Sequence, residues 1–306
     1  MYLSFSGFKK MDECAYSYWN GYVNKTKIEG VVDDRLGSIF GSVIGAVFED
    51  FYNMRLWKAP EPRAAVYARV EPNLTKVLHE ETTTTSEWRK AGVLLWRGDG
   101  EGQSPKGLYA DRAELEADIR DAVGRGISAI KHDRLLGPRA DAEVKLDYTV
   151  KGHKLGGRAD FIIKRVRFHD LCIIDGKGSK WRDKYVDLRQ LLWYGMLYKL
   201  RTGEVPDKLG YLFWKFSPPE SLDWMDFSPE DLDEMLATVL ATIKKIGELK
   251  ASLPASPSFE AARKVFMPIA DTKAKREAKE QACRFCVYAT EAVCPGGLKV
   301  AKKFQP

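Results

Sequence analysis

The chain has 306 residues, of which 44% are hydrophobic and 30% are charged, and its formal net charge is +6. This composition excludes a largely disordered chain, and the length allows one large domain with insertions or a domain with a small appendage. The excess of Lys and Arg is compatible with a polyanionic partner, although many basic proteins never bind nucleic acid. The N-terminus lacks a signal-peptide pattern, and no apolar run approaches the roughly 20 residues of a spanning helix. We therefore expect a cytoplasmic protein with no membrane association.

Composition divides the chain into four predicted segments. Residues 1–57 end in a Gly-punctuated helix, LGSIFGSVIGAVFEDFYNMRLW, in which Gly45 and Glu49 share one face. Residues 58–126 are rich in Pro, Thr, Gly and charge, and we interpret them as an insertion of loops and short helices. Residues 127–251 carry the strand and helix patterns of a core, and residues 252–306 hold three of the five cysteines.

Three consecutive segments in the core alternate in polarity with period two, which predicts three neighbouring strands: AEVKLDYTV, KLGGRADFIIK and DLCIIDGKG. Helical periodicity follows in DKYVDLRQLLWYGMLYKLRTG, and KLGYLFWKF returns as a strand. A long helix then begins after Ser228, which we predict to be its N-cap with acids in the first turn. The sequence predicts a mixed α/β core in which a helix crosses between strands.

An acid and a lysine stand two positions apart at the end of the third strand. Asp175 and Lys177 project from the same face of a strand, while Gly176 faces away. Asp160 ends the preceding strand motif GGRAD, so antiparallel pairing would bring the two carboxylates together. Two carboxylates beside a lysine form a hard oxygen site for Mg²⁺ or Mn²⁺ of the kind used in phosphodiester hydrolysis. A salt bridge at a strand end is the alternative.

The next helix places Gln190 and Tyr194 four residues apart on one face, which by itself is also typical of a polar face or a buried Tyr. The ordered set is more specific than its parts, and it comprises Glu49, Asp160, Asp175, Lys177, Gln190 and Tyr194. In this order the chain resembles the PD-(D/E)XK nucleases, specifically their RecB-type exonuclease branch. That branch has a Gly-rich helix with a Glu, a G-x-x-D strand, a D-x-K strand and a Q-x-x-x-Y helix, which stand here as GSVIGAVFE, GGRAD, DGK and QLLWY.

The resemblance implies a restriction-endonuclease-like core, a mixed sheet flanked by helices, and metal-dependent hydrolysis of DNA ends. It implies that Asp160, Asp175 and the carbonyl of Gly176 bind Mg²⁺ or Mn²⁺ and that Lys177 is the catalytic lysine. Gln190 and Tyr194 would position the scissile strand. Related nucleases work with helicase, CRISPR or phage recombination partners, and any of these contexts is compatible with this chain.

One position departs from the family pattern. RecB-type members usually carry a His four residues before the motif Glu, where it can bind metal, and this chain has Gly45 there. We therefore expect either an altered exonuclease or, as the alternative, a DNA-end-binding subunit with weakened or lost activity.

The remaining signals are cysteines and basic residues. The motif CRFCVYATEAVCP, with Cys283, Cys286 and Cys294, is compatible with zinc, an iron-sulfur cluster or unrelated thiols. In this branch, AddB-type helicase-nucleases and CRISPR-associated nucleases hold a 4Fe-4S cluster with one Cys before the nuclease motifs and three after them. The chain resembles them in this layout, which implies Cys14 as the fourth ligand. A zinc-stabilised structural domain is the alternative, and Cys172 is predicted to be a buried thiol.

Basic side chains surround the predicted catalytic strand. Lys180 and Arg182 follow it, with Trp181 between them, and this cluster fits either a DNA backbone or a solvated loop. Arg158 has the stronger claim to a phosphate because it lies two residues before Asp160. The sequence thus predicts an exonuclease acting on single-stranded DNA.

Overall fold

The computed structural model describes residues 1–26, 35–84, 92–137, 139–165, 168–182, 186–283 and 286–302. In this part of the chain, helices α1 to α11 span Phe5–Glu13, Ala15–Tyr18, Leu36–Asn53, Pro62–Tyr67, Val70–Thr83, Arg112–His132, Leu188–Thr202, Pro229–Ala251, Phe259–Val265, Arg276–Cys283 and Pro295–Lys302. Strands β1 to β8 span Tyr2–Ser4, Trp96–Arg97, Gln103–Ser104, Arg139–Val150, His153–Arg165, Asp170–Lys177, Lys208–Phe213 and Leu222–Met225. None of the helices described is long and apolar enough to cross a bilayer.

The chain forms two compact units, each assembled from segments that are distant in sequence. The larger unit comprises Val32–Thr85 and Arg89–Met235, and the smaller comprises Met1–Val31, Ser86–Trp88 and Leu236–Pro306. The larger unit contains β4 to β8 with helices α3 to α7.

The larger unit is built on a mixed sheet. Strand β4 pairs antiparallel with β5 and β5 antiparallel with β6, while β6 pairs parallel with β7 and β7 antiparallel with β8. A parallel pair needs a crossover connection, and α7 supplies it between β6 and β7. This arrangement confirms the predicted mixed α/β core, with three neighbouring strands and a helix that crosses between strands.

Helices cover both faces of this sheet because alternate residues of its strands are buried on opposite sides. Cys172 and Ile174 of β6 belong to a core that α3, α5 and α6 share with the sheet. Ile173, between them, is equally buried, and α7 packs against β4 to β7. Helix α3 is mostly apolar, and its buried face packs against α5, α6 and β4.

The helix ends follow local hydrogen bonding. Ser228 and Asp231 form reciprocal hydrogen bonds at the start of α8, as the predicted N-cap requires. Helix α7 begins only at Leu188, because the Asp187 carboxylate caps it by accepting from the Arg189 N–H. Helix α5 continues to Thr83, into a segment predicted to be a loop, where threonine hydroxyls donate to carbonyls one turn earlier. Strand β7 stops at Phe213, earlier than its pattern predicts.

Candidate active site

Asp160 and Asp175 meet at one end of the central strands. Phe161 of β5 lies opposite Ile174 of β6, so the next pair along these antiparallel strands is Asp160 and Asp175. The Gly176 N–H donates to Asp160 Oδ2 at 2.7 Å, which ties the two strand ends together. The geometry thus has the convergence of carboxylates that the sequence predicted.

Lys177 and Gln190 complete a hydrogen-bonded network around Asp175. The Lys177 ammonium lies 2.5 Å from Asp175 Oδ2 and donates to Gln190 Oε1 at 3.0 Å. The Gln190 amide donates to Asp175 Oδ1 at 2.9 Å and to the Tyr194 hydroxyl at 3.1 Å. Every polar atom of the Gln190 side chain therefore contacts a residue of the predicted site.

Helix α7 is held against β5 at the turn that carries these side chains. The Trp193 indole N–H donates to the Gly156 carbonyl at 3.3 Å. A side chain at Gly157 would come within 3.1 Å of the Tyr194 ring, so a glycine at this position of β5 allows the helix to approach closely. Gly157 of GGRAD therefore allows close packing beneath α7.

A solvent-filled cleft of about 480 Å³ opens beside Asp160 and Gly176. Helix α3 contributes Glu49 and Gly45 to its lining, and α5 contributes Lys76 and Glu80. A Cβ added at Gly45 would meet no atom within 4 Å, so this position, which departs from the expected motif, is open space. Helix α5, from the segment interpreted as an insertion, forms one wall of the cleft.

Trp214 fixes the backbone of the D-G-K motif. A Cβ at Gly176 would lie 2.9 Å from the Trp214 indole, so no larger residue fits there without displacing this ring. The same indole stacks on Phe48 with ring centroids 4.5 Å apart and an interplanar angle of 5°. Because Phe48 precedes Glu49, this stack joins the acid on α3 to the strand that carries Asp175.

Burial and mutual repulsion raise the pKa values of the site acids. Burial has the largest effect on Asp160, and the Asp175 charge raises its pKa further. Burial also raises the pKa of Asp175, although Lys177 opposes the shift. The pKa of the Tyr194 hydroxyl is raised by burial and then by the Asp175 charge, so it stays protonated. A bound cation would relieve the repulsion between these carboxylates.

Glu143 is a further acid of this cleft that the sequence analysis missed. Ala142 lies opposite Phe161 and Val144 opposite Ala159, so Glu143 faces Asp160 across β4 and β5. Burial raises the pKa of Glu143, pairing with the Arg158 guanidinium opposes this shift, and the charges of Glu49 and Asp175 add to it. Its backbone has φ of 53°, a conformation that costs a non-Gly residue about 1–3 kcal/mol. An acid in a half-exposed strand cannot be predicted as a site residue from sequence unless the strand register is known.

The three predicted DNA-contacting residues occupy different surroundings. Arg158 lines the cleft and is paired with Glu143 at 3.3 Å. Lys180 is exposed beside the Trp181 ring. Arg182 lies over the Phe216 ring at 4.4 Å and contacts Asp223, and neither it nor Lys180 is among the residues that line the cleft.

The predicted cluster ligands all belong to the smaller unit. The thiols are free and line one pocket, which is formed by Cys14, Cys283, Cys286 and Cys294. Burial raises the pKa of Cys283 to about 12, and the other three thiols contribute to this shift. The Tyr16 hydroxyl donates to the Val293 carbonyl at 3.2 Å and so joins the N-terminal segment to the C-terminal one. Cys172, by contrast, is fully buried in β6, as predicted.

The binding of a single metal ion by the carboxylates is a question separate from that of a cluster held by the cysteines. Among the residues that the structure describes, no three His, Cys, Asp or Glu side chains are arranged to hold a metal ion. Mg²⁺ is commonly bound by one or two carboxylates with several waters and substrate phosphates. Asp160, Asp175 and the Gly176 carbonyl are hard oxygen donors, so the residues present fit such an ion.

A mixed sheet flanked by helices, with two carboxylates and a lysine at adjacent strand ends, defines a restriction-endonuclease-like fold. The family model of the PD-(D/E)XK nuclease superfamily matches residues 2–295, and the chain belongs to that superfamily. Membership supports nuclease chemistry and makes DNA the substrate class that this family suggests.

Solved structures and curated proteins add little to this assignment. The crystal structure of a "Putative exonuclease" from Eubacterium rectale is 14% identical, with a TM-score of 0.43 and coverage of 80% of this chain and 79% of that one. The crystal structure of SSO0001 is 15% identical, with a TM-score of 0.30 and coverage of 94% and 95%. No curated protein matches the sequence.

Proposed function

We propose that the protein is a metal-dependent DNA exonuclease that hydrolyses phosphodiester bonds at single-stranded ends. The supporting observation is the network that joins Asp175, Lys177 and Gln190 at the end of β6, next to Asp160 and Gly176, which line an open cleft. A structural salt bridge at a strand end would not require the second carboxylate, the amide and the cleft at the same place.

Asp160, Asp175 and the Gly176 carbonyl are the residues that would hold Mg²⁺ or Mn²⁺. When bound, the ion polarises a phosphoryl oxygen and lowers the pKa of a coordinated water. Trp214 keeps the Gly176 backbone in place, and the Gly176 N–H holds Asp160 Oδ2 toward the same position. Glu49 lies in the same cleft and adds negative charge that attracts a cation.

Lys177 is the residue proposed to act on the reacting groups. Its ammonium is held between Asp175 Oδ2 and Gln190 Oε1, so it stays at the strand end, where it can orient the attacking water or neutralise phosphate charge. Gln190 and Tyr194 hold the Lys177 ammonium and the Asp175 carboxylate in place from α7. The Tyr194 hydroxyl retains its proton and can donate it in a hydrogen bond to the DNA strand. Arg158 binds a phosphate at the cleft.

Single-stranded DNA is the proposed substrate form because an exposed aromatic follows the catalytic strand. Trp181 is 59% exposed and lies beside Lys180, so together they offer a stacking face and a charge for an unpaired nucleotide. Arg182 is packed on Phe216, which leaves it a secondary contribution to DNA binding.

Digestion of labelled DNA tests this function directly. The parent chain is incubated with Mg²⁺ or Mn²⁺ and single-stranded or duplex DNA labelled at the 5′ or 3′ end. We expect linear single strands to be degraded and circular single strands to resist. Asp175→Ala and Lys177→Ala should each lower the rate by at least about a hundredfold, since each removes charge from a buried reacting site.

Matched controls separate loss of chemistry from loss of folding. Lys131→Ala changes an exposed lysine on α6, and Asp141→Asn changes an exposed acid on β4, so both should digest DNA like the parent. Far-ultraviolet circular dichroism should be unchanged in all variants. Equal digestion by Asp175→Ala, Lys177→Ala and the parent would show that the site assignment is wrong.

A DNA-end-binding subunit with weak or lost activity is the second candidate. The open space at Gly45, where relatives carry a metal-binding His, favours it. Retention of Asp160, Asp175 and Lys177 in a bonded network argues against it. A purified chain that binds DNA ends tightly but leaves them intact in both metals would support this candidate, and cleavage without partners would remove it.

We further propose that Cys14, Cys283, Cys286 and Cys294 hold a 4Fe-4S cluster. Support comes from their free thiols around one pocket, where burial and mutual repulsion disfavour thiolates unless positive charge is present. A zinc-stabilised structural module is the alternative, and it predicts a colourless protein. We also propose that the protein is cytoplasmic. Its proposed partner is a helicase, a CRISPR protein or a phage recombination protein.

A further inference from the structure

Three carboxylates occupy facing positions on three adjacent strands. By the register of the flanking pairs, Asp160 is level with Glu143 on β4 and with Asp175 on β6, and the charges of both raise its pKa. Like charges that face each other across a sheet are destabilising. The resemblance accounts for Asp160 and Asp175 but assigns nothing to Glu143, so the third acid of the row needs its own explanation.

The partner of Glu143 is Arg158. The Arg158 Nη1 lies 3.3 Å from Glu143 Oε2, and the two side chains are 64% and 28% exposed. Both residues line the cleft. Arg158 is two residues before Asp160 on β5 and therefore projects from the same face of the strand. Its guanidinium has five donors, so pairing with one carboxylate leaves others for a ligand.

We propose that Glu143 is a positioning residue that holds the Arg158 guanidinium at the cleft mouth, where it binds a DNA phosphate, and away from the Asp160 carboxylate. The inference rests on the proposed function, because it gives Arg158 a phosphate and Asp160 a cation to bind. Without Glu143, the adjacent carboxylate on the Arg158 face of β5 is Asp160. An Arg158–Asp160 pair would then compete with the cation for the same oxygens.

This competition gives the pair a signature that general destabilisation does not produce. Glu143→Gln should raise the Mn²⁺ dissociation constant about tenfold, because Arg158 moves to Asp160. Adding Arg158→Gln to that variant should return the Mn²⁺ dissociation constant to the parent value, because the competing charge is gone. Isothermal titration calorimetry with Mn²⁺ alone measures this without any cleavage.

DNA binding should respond differently from metal binding. Anisotropy of labelled single-stranded DNA, measured in the Asp175→Ala background without metal, should show weaker binding by about tenfold for Glu143→Gln and for Arg158→Gln. The double variant should be no weaker than Arg158→Gln alone. For the pair of substitutions Glu143→Gln and Arg158→Gln, the expected pattern is restored Mn²⁺ binding when Asp175 is present and weakened DNA binding in the Asp175→Ala background.

The backbone of Glu143 supplies a control for a purely structural role. Its φ of 53° is one that glycine adopts without strain, so Glu143→Gly should melt at the parent temperature or above it. The same variant should still show the weakened DNA and Mn²⁺ binding. A lower melting temperature with unchanged binding would mean that Glu143 only supports the strand, and the inference would fail.

The outcomes also separate this inference from the proposed function. If Glu143→Gln and the double variant bind Mn²⁺ equally while Asp175→Ala abolishes cleavage, the nuclease stands and the role of Glu143 is wrong. If Asp175→Ala digests DNA like the parent, the nuclease site itself is wrong. In that case the calorimetric comparison still decides whether Glu143 keeps Arg158 from Asp160.

Discussion

Gly176 and Gly45 are both glycines of the site, but they differ in the space around them. At Gly176 the Trp214 indole occupies the volume that a side chain would need. At Gly45 a side chain would enter the open cleft. Substitution at Gly176 therefore displaces the backbone that we propose to bind the metal ion, whereas substitution at Gly45 tests the chemistry of the cleft.

Gly45→His should add a metal ligand without a clash. Relative to Gly45→Ala, we expect the histidine variant to reach half-maximal cleavage at an Mn²⁺ concentration about tenfold lower, which corresponds to about 1.4 kcal/mol. The alanine variant is the matched control, because replacing a mid-helix glycine raises stability by about 0.5–1 kcal/mol on its own. Identical Mn²⁺ dependence in the two variants would contradict the expectation.

A buried ion pair joins β5 and β6 at the end of the strands opposite to Asp160 and Asp175. Arg165 and Asp170 face each other in register, with Arg165 Nε and Nη2 donating to the two carboxylate oxygens at 2.8 and 2.5 Å. The guanidinium holds the pKa of Asp170 below its ordinary value, and burial opposes this only in part. The folded state therefore binds the proton of Asp170 less readily than the unfolded state does.

This pair predicts a pH-dependent contribution to folding. Because the folded pKa is depressed, the stabilisation is complete above the unfolded pKa of about 3.9 and is lost as the pH falls through the folded value. Asp170→Asn should cost about 3 kcal/mol at pH 7, since it leaves a buried guanidinium without its charge partner. Urea unfolding should show that cost shrinking below about pH 4.

Asp141→Asn, an exposed acid on β4, is the matched control and should unfold like the parent at every pH. A constant difference between Asp170→Asn and the parent from pH 7 to the acid range would contradict the assignment. The result would then point to packing rather than ionisation.

Sequence patterns predicted the elements that carry the site but not all of their neighbours. Period-two alternation located β4, β5 and β6, and the i,i+4 spacing placed Gln190 and Tyr194 on one helix face. Glu143 could not be predicted, because its position opposite Asp160 depends on strand register, a long-range property. The role of Trp214 could not be predicted either, because its contacts with Gly176 and Phe48 depend on how the strand end packs against α3.

For the molecule as a whole, cysteines from regions that lie far apart in sequence line one pocket. A shared cluster would connect Cys14 to Cys283 and so close most of the chain into one loop. Covalent closure of a loop of this size is worth about 5 kcal/mol in the chain-entropy model. Tyr16, two residues from Cys14, already contacts the carbonyls of Phe259 and Val293 in the same unit.

Cys14→Ala should therefore lose both iron and stability. The parent, purified without oxygen, should be brown with about four irons per chain, and the variant should lose most of them. We expect thermal unfolding of the variant to begin well below that of the parent. Cys172→Ala is the control, because that thiol lies in the sheet, and it should keep its iron and lose only about 1 kcal/mol. Stoichiometric zinc in place of iron would overturn the cluster.

Helices α5 and α6 make residues 58–126 more important for the folded core than their sequence composition indicates. Their side chains Val70, Leu74, Leu115 and Ile119 are fully buried in the same core as α3. A variant that lacks residues 58–126 would therefore expose an apolar face of α3 to water. For protein engineering, residues 58–126 are thus not an exchangeable cassette, and any replacement must match the shape of α3 as well as the width of the cleft.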